Sequence, residues 1–192
     1  MSPGRPELAV FGGSFDPPHI GHVFLATYAL SVRGVERVLV VPTFEHAFGK
    51  PLHAFAERLA MCELAFGLLA GCEVSPLERE LGGVSRTLRL VEELARRHPD
   101  HQLRLLVGSD ILAQSARWQR FDDIVALAPL LVAERAGHRS SAPEGASSPL
   151  LPEVSSSTVQ AALARGDDVS HWLPRAVASY IDQHALYRDR EA

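Results

Sequence analysis

Gly12-Gly13-Ser14-Phe15-Asp16-Pro17-Pro18-His19-Ile20-Gly21-His22 lies between the apolar run Leu8-Ala9-Val10-Phe11 and the apolar segment Val23 to Leu30. It reads as strand, tight turn, helix. Paired glycines let the backbone bend and approach a ligand, paired prolines stiffen the loop, and a helix begins near His19 or Ile20. Free N–H donors and the positive end of the helix dipole suit a phosphate at that point. His19 and His22 are three apart, so both imidazoles project from one side of the first turn, with Gly21 leaving room between them. A lone histidine at a helix start is usually a cap or a surface group. Two helix-phased histidines behind a Gly-Gly bend have no obvious packing role and read as donors to phosphate oxygens.

The 192 residues, 46% of them hydrophobic, fit one domain (1–192) with a substantial core. Residues 1–7 form an expected flexible N-terminus. A net charge of -4, with the basic residues scattered, argues against a general nucleic-acid binder. Cys62 and Cys72 have no metal-ligand spacing and sit among apolar residues, as buried thiols of a reducing cytoplasm do. No stretch resembles a signal peptide or is long enough to span a bilayer, so the expectation is a soluble cytoplasmic protein without a membrane partner.

Four apolar runs carry the remaining framework. Arg37-Val38-Leu39-Val40-Val41 before Pro42, Leu103-Arg104-Leu105-Leu106-Val107 and Leu130-Leu131-Val132-Ala133 read as strands covered on both faces, and Gly71 to Ser75 as a shorter one. Between them, Phe55, Leu59, Cys62, Phe66 and Leu69 mark one helix face, on which Arg58 is expected to be exposed. Leu77 to Gly83 reads as a polar loop, and Ser85 as the N-cap of a helix carrying Leu88, Val91, Leu94 and Ala95. The fold class is therefore α/β, a doubly wound parallel sheet with helices on both faces, whose ligand crevice lies outside the carboxyl ends of its strands. Thr43 to His53 is a long loop at such an end and holds Lys50, the chain's one lysine. Gly108-Ser109-Asp110 follows another strand, where Asp110 can accept from ribose hydroxyls or cap a helix. Residues 138–149, rich in Ser, Ala, Gly and Pro, read as a mobile surface loop. Ser155-Ser156-Ser157-Thr158 opens a helix with more hydroxyls than capping needs, a second place for phosphate.

Taken together, these elements resemble the nucleotidyltransferases with a His-x-Gly-His motif, and among them the bacterial nicotinate-nucleotide adenylyltransferases. The resemblance runs from about Leu8 to Tyr187 and is strongest in the first motif, where Ser14 stands in place of the usual threonine. It implies a Rossmann-like fold and transfer of an adenylyl group from ATP to a pyridine mononucleotide, with Mg²⁺ bound through the ATP phosphates. By this likeness His19, His22 and Lys50 are catalytic. Gly12, Gly13, Ser14, Phe15, Gly21, Gly108, Asp110, Arg135, Ser156 and Ser157 border ATP, while Asp16, Thr87 and Trp118 face the acceptor. An indole suits core packing as well as ring stacking, and the likeness tips Trp118 toward stacking. Two departures stand out: Gly82-Gly83-Val84 replaces the family's Ser-Tyr-Thr segment, and Gln160 occupies the arginine position of its Ser-Ser-Thr-x-Ile-Arg element. An amide lacks the charged, two-pronged phosphate contact of a guanidinium, so either Lys50, Arg135 or Arg165 compensates or turnover is reduced. Two alternatives remain: nucleotidyl transfer to another phosphorylated acceptor, such as phosphopantetheine or glycerol phosphate, and a nucleotide-binding module that has lost catalysis.

Overall fold

A computed structural model describes residues 4–31, 35–109, 118–133 and 152–188. Five apolar segments form one parallel sheet: β1 (Glu7–Gly13), β2 (Val35–Pro42), β3 (Cys72–Val74), β4 (Gln102–Gly108) and β5 (Leu130–Ala133), in the order β3-β2-β1-β4-β5. The expected strands are all present. Glu7 belongs to β1, with Gln102 N–H donating to the Pro6 carbonyl at 2.9 Å.

Near-continuous apolar strands need cover on both faces, and the helices supply it in two layers. Ala9, Phe11, Val38, Val40 and Leu106 pack against α1 (Ile20–Ser31), α2 (Phe55–Phe66), α6 (Ser156–Ala164) and α7 (Arg175–Gln183). On the opposite face Leu8, Val10, Leu39, Leu105 and Val107 meet α3 (Leu77–Leu81), α4 (Thr87–Arg97) and α5 (Phe121–Leu127). The chain winds outward from β1 to β3 and then returns to β4 on the other side of β1. The crossovers therefore diverge between β1 and β4, and a crevice opens at the carboxyl ends of these two strands.

Three local expectations are corrected. Leu77–Leu81 is a helix, closed at Gly82 (φ 68°) and followed by Gly83 (φ 68°), backbone that glycine adopts without strain. The N-cap of α4 is Arg86, without a side-chain cap, because Ser85 is engaged elsewhere: its Oγ accepts the Phe44 N–H at 3.0 Å. The buried stripe of α2 is Arg58, Met61, Cys62, Ala65 and Phe66, rotated from the predicted face, and Arg58 is 1% exposed.

Candidate active site

The site grows from the end of β1. Gly12 and Gly13 pair with Val41 and Pro42 of β2, and the Thr43 N–H donates to the Gly13 carbonyl at 2.9 Å. A side chain built on Gly12 would meet nothing within 4 Å, whereas one on Gly13 would come within 3.2 Å of the Phe15 ring. Phe15 (φ 46°) turns its ring into the core, edge-on to Phe11, Phe66 and His22.

The two motif histidines meet as expected at the start of α1, their rings stacked with centroids 3.7 Å apart. His19 is buried and His22 half-buried, and both line a cavity of about 870 Å³ in the crevice. The His19 N–H donates to His22 Nδ1 at 3.1 Å, so the neutral His22 ring carries its proton on Nε2 and donates from there. Gly21 is small for a reason: a Cβ there would lie 3.1 Å from the His19 ring. The helix end itself is less open than the sequence implies. The Ile20 N–H is taken by the Trp172 carbonyl at 2.9 Å, and His22 and Val23 N–H by the His19 carbonyl. Those N–H groups are therefore not open to an anion, and it is the two imidazoles that line the cavity.

On the far wall, Lys50 Nζ donates to Ser157 Oγ at 3.3 Å, bringing together residues 107 positions apart. The three serines have separate tasks. Ser155 caps α6, its Oγ accepting the Thr158 N–H at 3.1 Å; Ser156 donates to the Pro17 carbonyl at 2.9 Å and pins the glycine turn; Ser157 meets Lys50. All three line the cavity, with Gly12, Gly13, Ser14, Phe15, Gly21 and Gly108. Thr87 and Trp118 line it too. Trp118 is half-buried and lies edge-on to Phe121 at 6.1 Å, so the indole serves the core and the cavity together. Asp110, Arg135 and the 138–149 segment lie outside the described residues.

Asp16, expected to face the acceptor, is 1% exposed and engaged within the protein: Tyr187 OH donates to Oδ1 at 2.6 Å, the His53 N–H to Oδ2 at 3.1 Å, and His53 Nδ1 lies 3.1 Å from Oδ1. Its backbone carbonyl accepts from Gln160 Nε2. Gln160 therefore supports the turn from the arginine position of the family pattern. Arg165 cannot stand in for that arginine, since it ends α6 at the opposite end from Ser156 and pairs with Asp167 at 2.6 Å.

Sequence reasoning also missed two supports. Arg58 donates to the carbonyls of Ser14 (2.8 Å), His53 (2.9 Å) and Phe44 (3.4 Å), joining the glycine turn to both ends of the Thr43 to His53 loop around one buried cation. Burial draws its pKa down from the ordinary value while the charge of Asp16 opposes that shift. Its signal was its phase, four residues before Cys62 on an apolar stripe. Glu78, 6% exposed, lines the cavity beside Ser85; burial raises its pKa, against the Ser85 hydrogen bond and the charge of Arg89. Arg86 and Arg120 add positive charge to the lining, and Glu92 a further negative one.

Residues 10–164 match the family model described as Cytidylyltransferase-like. A protein of Anaeromyxobacter sp. (strain K) named "Probable nicotinate-nucleotide adenylyltransferase" is 46% identical over 191 residues, covering 98% of this chain and 100% of that one. A protein of the same name from Myxococcus xanthus is 37% identical, covering 94% of each chain. Among solved structures, Plasmodium falciparum nicotinic acid mononucleotide adenylyltransferase complexed with NaAD superposes with a TM-score of 0.79 at 19% identity, over 95% of this chain and 97% of that one.

Proposed function

The chain belongs to the cytidylyltransferase-like family, and within it to the nicotinate-nucleotide adenylyltransferases; from that premise we propose that its crevice joins ATP to nicotinate mononucleotide. The products are the dinucleotide used in NAD biosynthesis and pyrophosphate. The single observation that carries the reading is the stacked imidazole pair on the cavity wall between β1 and β4.

The acceptor phosphate attacks the α-phosphorus of ATP in line with the departing pyrophosphate. A phosphate monoester with a second pKa of about 6 is already largely ionised at neutral pH, so the step needs no general base. What remains for the protein is placement and charge stabilisation. His19 and His22 donate to the α- and β-phosphate oxygens. Lys50 and Ser157 face the leaving pyrophosphate. Open space over Gly12 admits the nucleotide against the backbone, and Thr87 and Trp118 border the pyridine ring. In this reading Mg²⁺ would be held by the nucleotide's own phosphates, where it would offset their charge.

Among the described residues no helix is long and apolar enough to cross a membrane. The reading places the protein in the cytoplasm, in keeping with the free thiols of Cys62 and Cys72.

Incubation with ATP, Mg²⁺ and, separately, nicotinate mononucleotide, nicotinamide mononucleotide, phosphopantetheine and glycerol phosphate tests the proposal by release of pyrophosphate. Dinucleotide from the nicotinate substrate is the expected product. Preferential product from a non-pyridine acceptor would overturn the assignment, and ATP binding without any product would make the protein a nucleotide-binding module.

A further inference from the structure

The turn that presents the two imidazoles is fastened from the far end of the chain. Tyr187, 8% exposed, reaches Asp16 across 171 positions of sequence, and the His53 ring lies against both partners, its centroid 4.0 Å from that of the phenol ring and its Nδ1 3.1 Å from Asp16 Oδ1. We propose that Tyr187 is a positioning residue for adenylyl transfer, its hydroxyl fixing Asp16 and thereby the geometry in which His19 and His22 meet the phosphates. The inference rests on the reaction proposed above.

Asp16 is well placed to transmit such a constraint. It follows Phe15, whose ring meets His22 at 5.0 Å, and precedes Pro17, whose carbonyl is held by Ser156; His19 comes three residues later. A shift at Asp16 therefore displaces one histidine through an aromatic contact and the other through a stiff Pro-Pro link. The chain also accepts unfavourable backbone to make the contact. Ala185 (φ 49°) and Tyr187 (φ 61°) both adopt the left-handed region, which side chains disfavour. A tyrosine needed only for packing would supply its ring alone, yet the hydroxyl is aimed at a buried carboxylate. Burial and the charge of Asp16 push the phenol's pKa up, so it remains a hydrogen-bond donor across the working pH range.

The test uses the full chain with Tyr187→Phe, Asp16→Ala and the double variant, assayed well below each melting temperature. Tyr187→Phe keeps the ring and removes the donor. The expected result is a kcat reduced about tenfold with KM for both substrates within about threefold, because misplaced groups slow the chemical step more than they weaken binding. In the Asp16→Ala background, which offers the hydroxyl no side-chain acceptor at that position, the second substitution should add little. The His22 ring resonances should also move in Tyr187→Phe without any substrate. Arg165→Ala, exposed at the distant end of α6, should retain parental kcat. Parental kcat and unmoved resonances in folded Tyr187→Phe would overturn the positioning role, as would fully multiplicative losses in the double variant. Should the parent form no dinucleotide, the reaction assignment fails, and the resonances still decide whether Tyr187 sets the histidine geometry.

Discussion

In the proposed reaction the chemistry concentrates on His22, where one backbone hydrogen bond fixes which ring nitrogen donates. Removing the ring by His22→Ala is expected to lower kcat by about 10² to 10³, the cost of losing one preorganised donor to transition-state charge. Its half-buried position should leave the fold intact, and single-turnover kinetics beside a thermal melt will separate the two effects. Gly21→Ala acts by a different route. The added methyl carbon would sit 3.1 Å from the His19 ring and 3.3 Å from Val154 Cγ1, so the ring must shift. Turnover should fall at least tenfold with little change in ATP affinity, and a variant with parental kcat would show that the ring position is unimportant. The pair was readable in the sequence because helix phase is a local property. The fate of Asp16 was not, because its partners His53 and Tyr187 come from segments that only the folded chain brings together.

Among the elements, α2 departs furthest from its apparent pattern. Counting apolar residues gave a stripe through Phe55 and Leu59, yet the buried face carries Arg58, whose three carbonyl partners lie outside the helix. A periodicity argument treats a cation as outward-facing and cannot see loop carbonyls that converge to receive it. Arg58→Met should destabilise the protein by about 3 kcal/mol or more, since it leaves Asp16 buried without its compensating charge and unties the glycine turn from the Thr43 to His53 loop. A urea midpoint unchanged from the parent would contradict that account. In α3 the sign is opposite. Glu78 has a folded pKa raised by burial, so the fold binds its proton more tightly than the unfolded chain does, and stability is lost as pH rises through that folded value. Glu78→Gln keeps an acceptor for Ser85 and removes the charge. Its melting temperature should exceed the parent's at pH 7, with the difference vanishing below pH ~4; an equal gain at both values would rule out titration as the cause.

For the molecule as a whole, the two apolar layers on either side of the sheet meet the crevice from opposite sides. α1 and α6 contribute His22 and Ser157 from one layer, and α4 contributes Thr87 from the other. This division was legible, because parallel strand runs and a Gly-rich turn after the first of them already fix where an α/β sheet opens. The ties among the loops at its mouth were not: Ser85 with Phe44, and the bridge between Glu45 and Val84, join segments about 40 residues apart. The cavity is lined from both layers, so a nucleotide bound there as proposed should stabilise the chain globally. Cys62 reports on that directly. It is fully buried between the sheet and α2, and burial pushes its thiol well up from its ordinary pKa, so alkylation at pH 8 requires opening of the core. Cys72, half-buried and pushed up to about 11, should react slowly even while folded. At a ligand concentration 100 times Kd the open population falls about 100-fold, or about 2.7 kcal/mol. The alkylation rate of Cys62 should fall by that factor with the dinucleotide present, while Cys72 changes little. Equal protection of both thiols would point to occlusion by ligand rather than linkage through the core, and an unaltered Cys62 rate would show that the two layers open without disturbing the site.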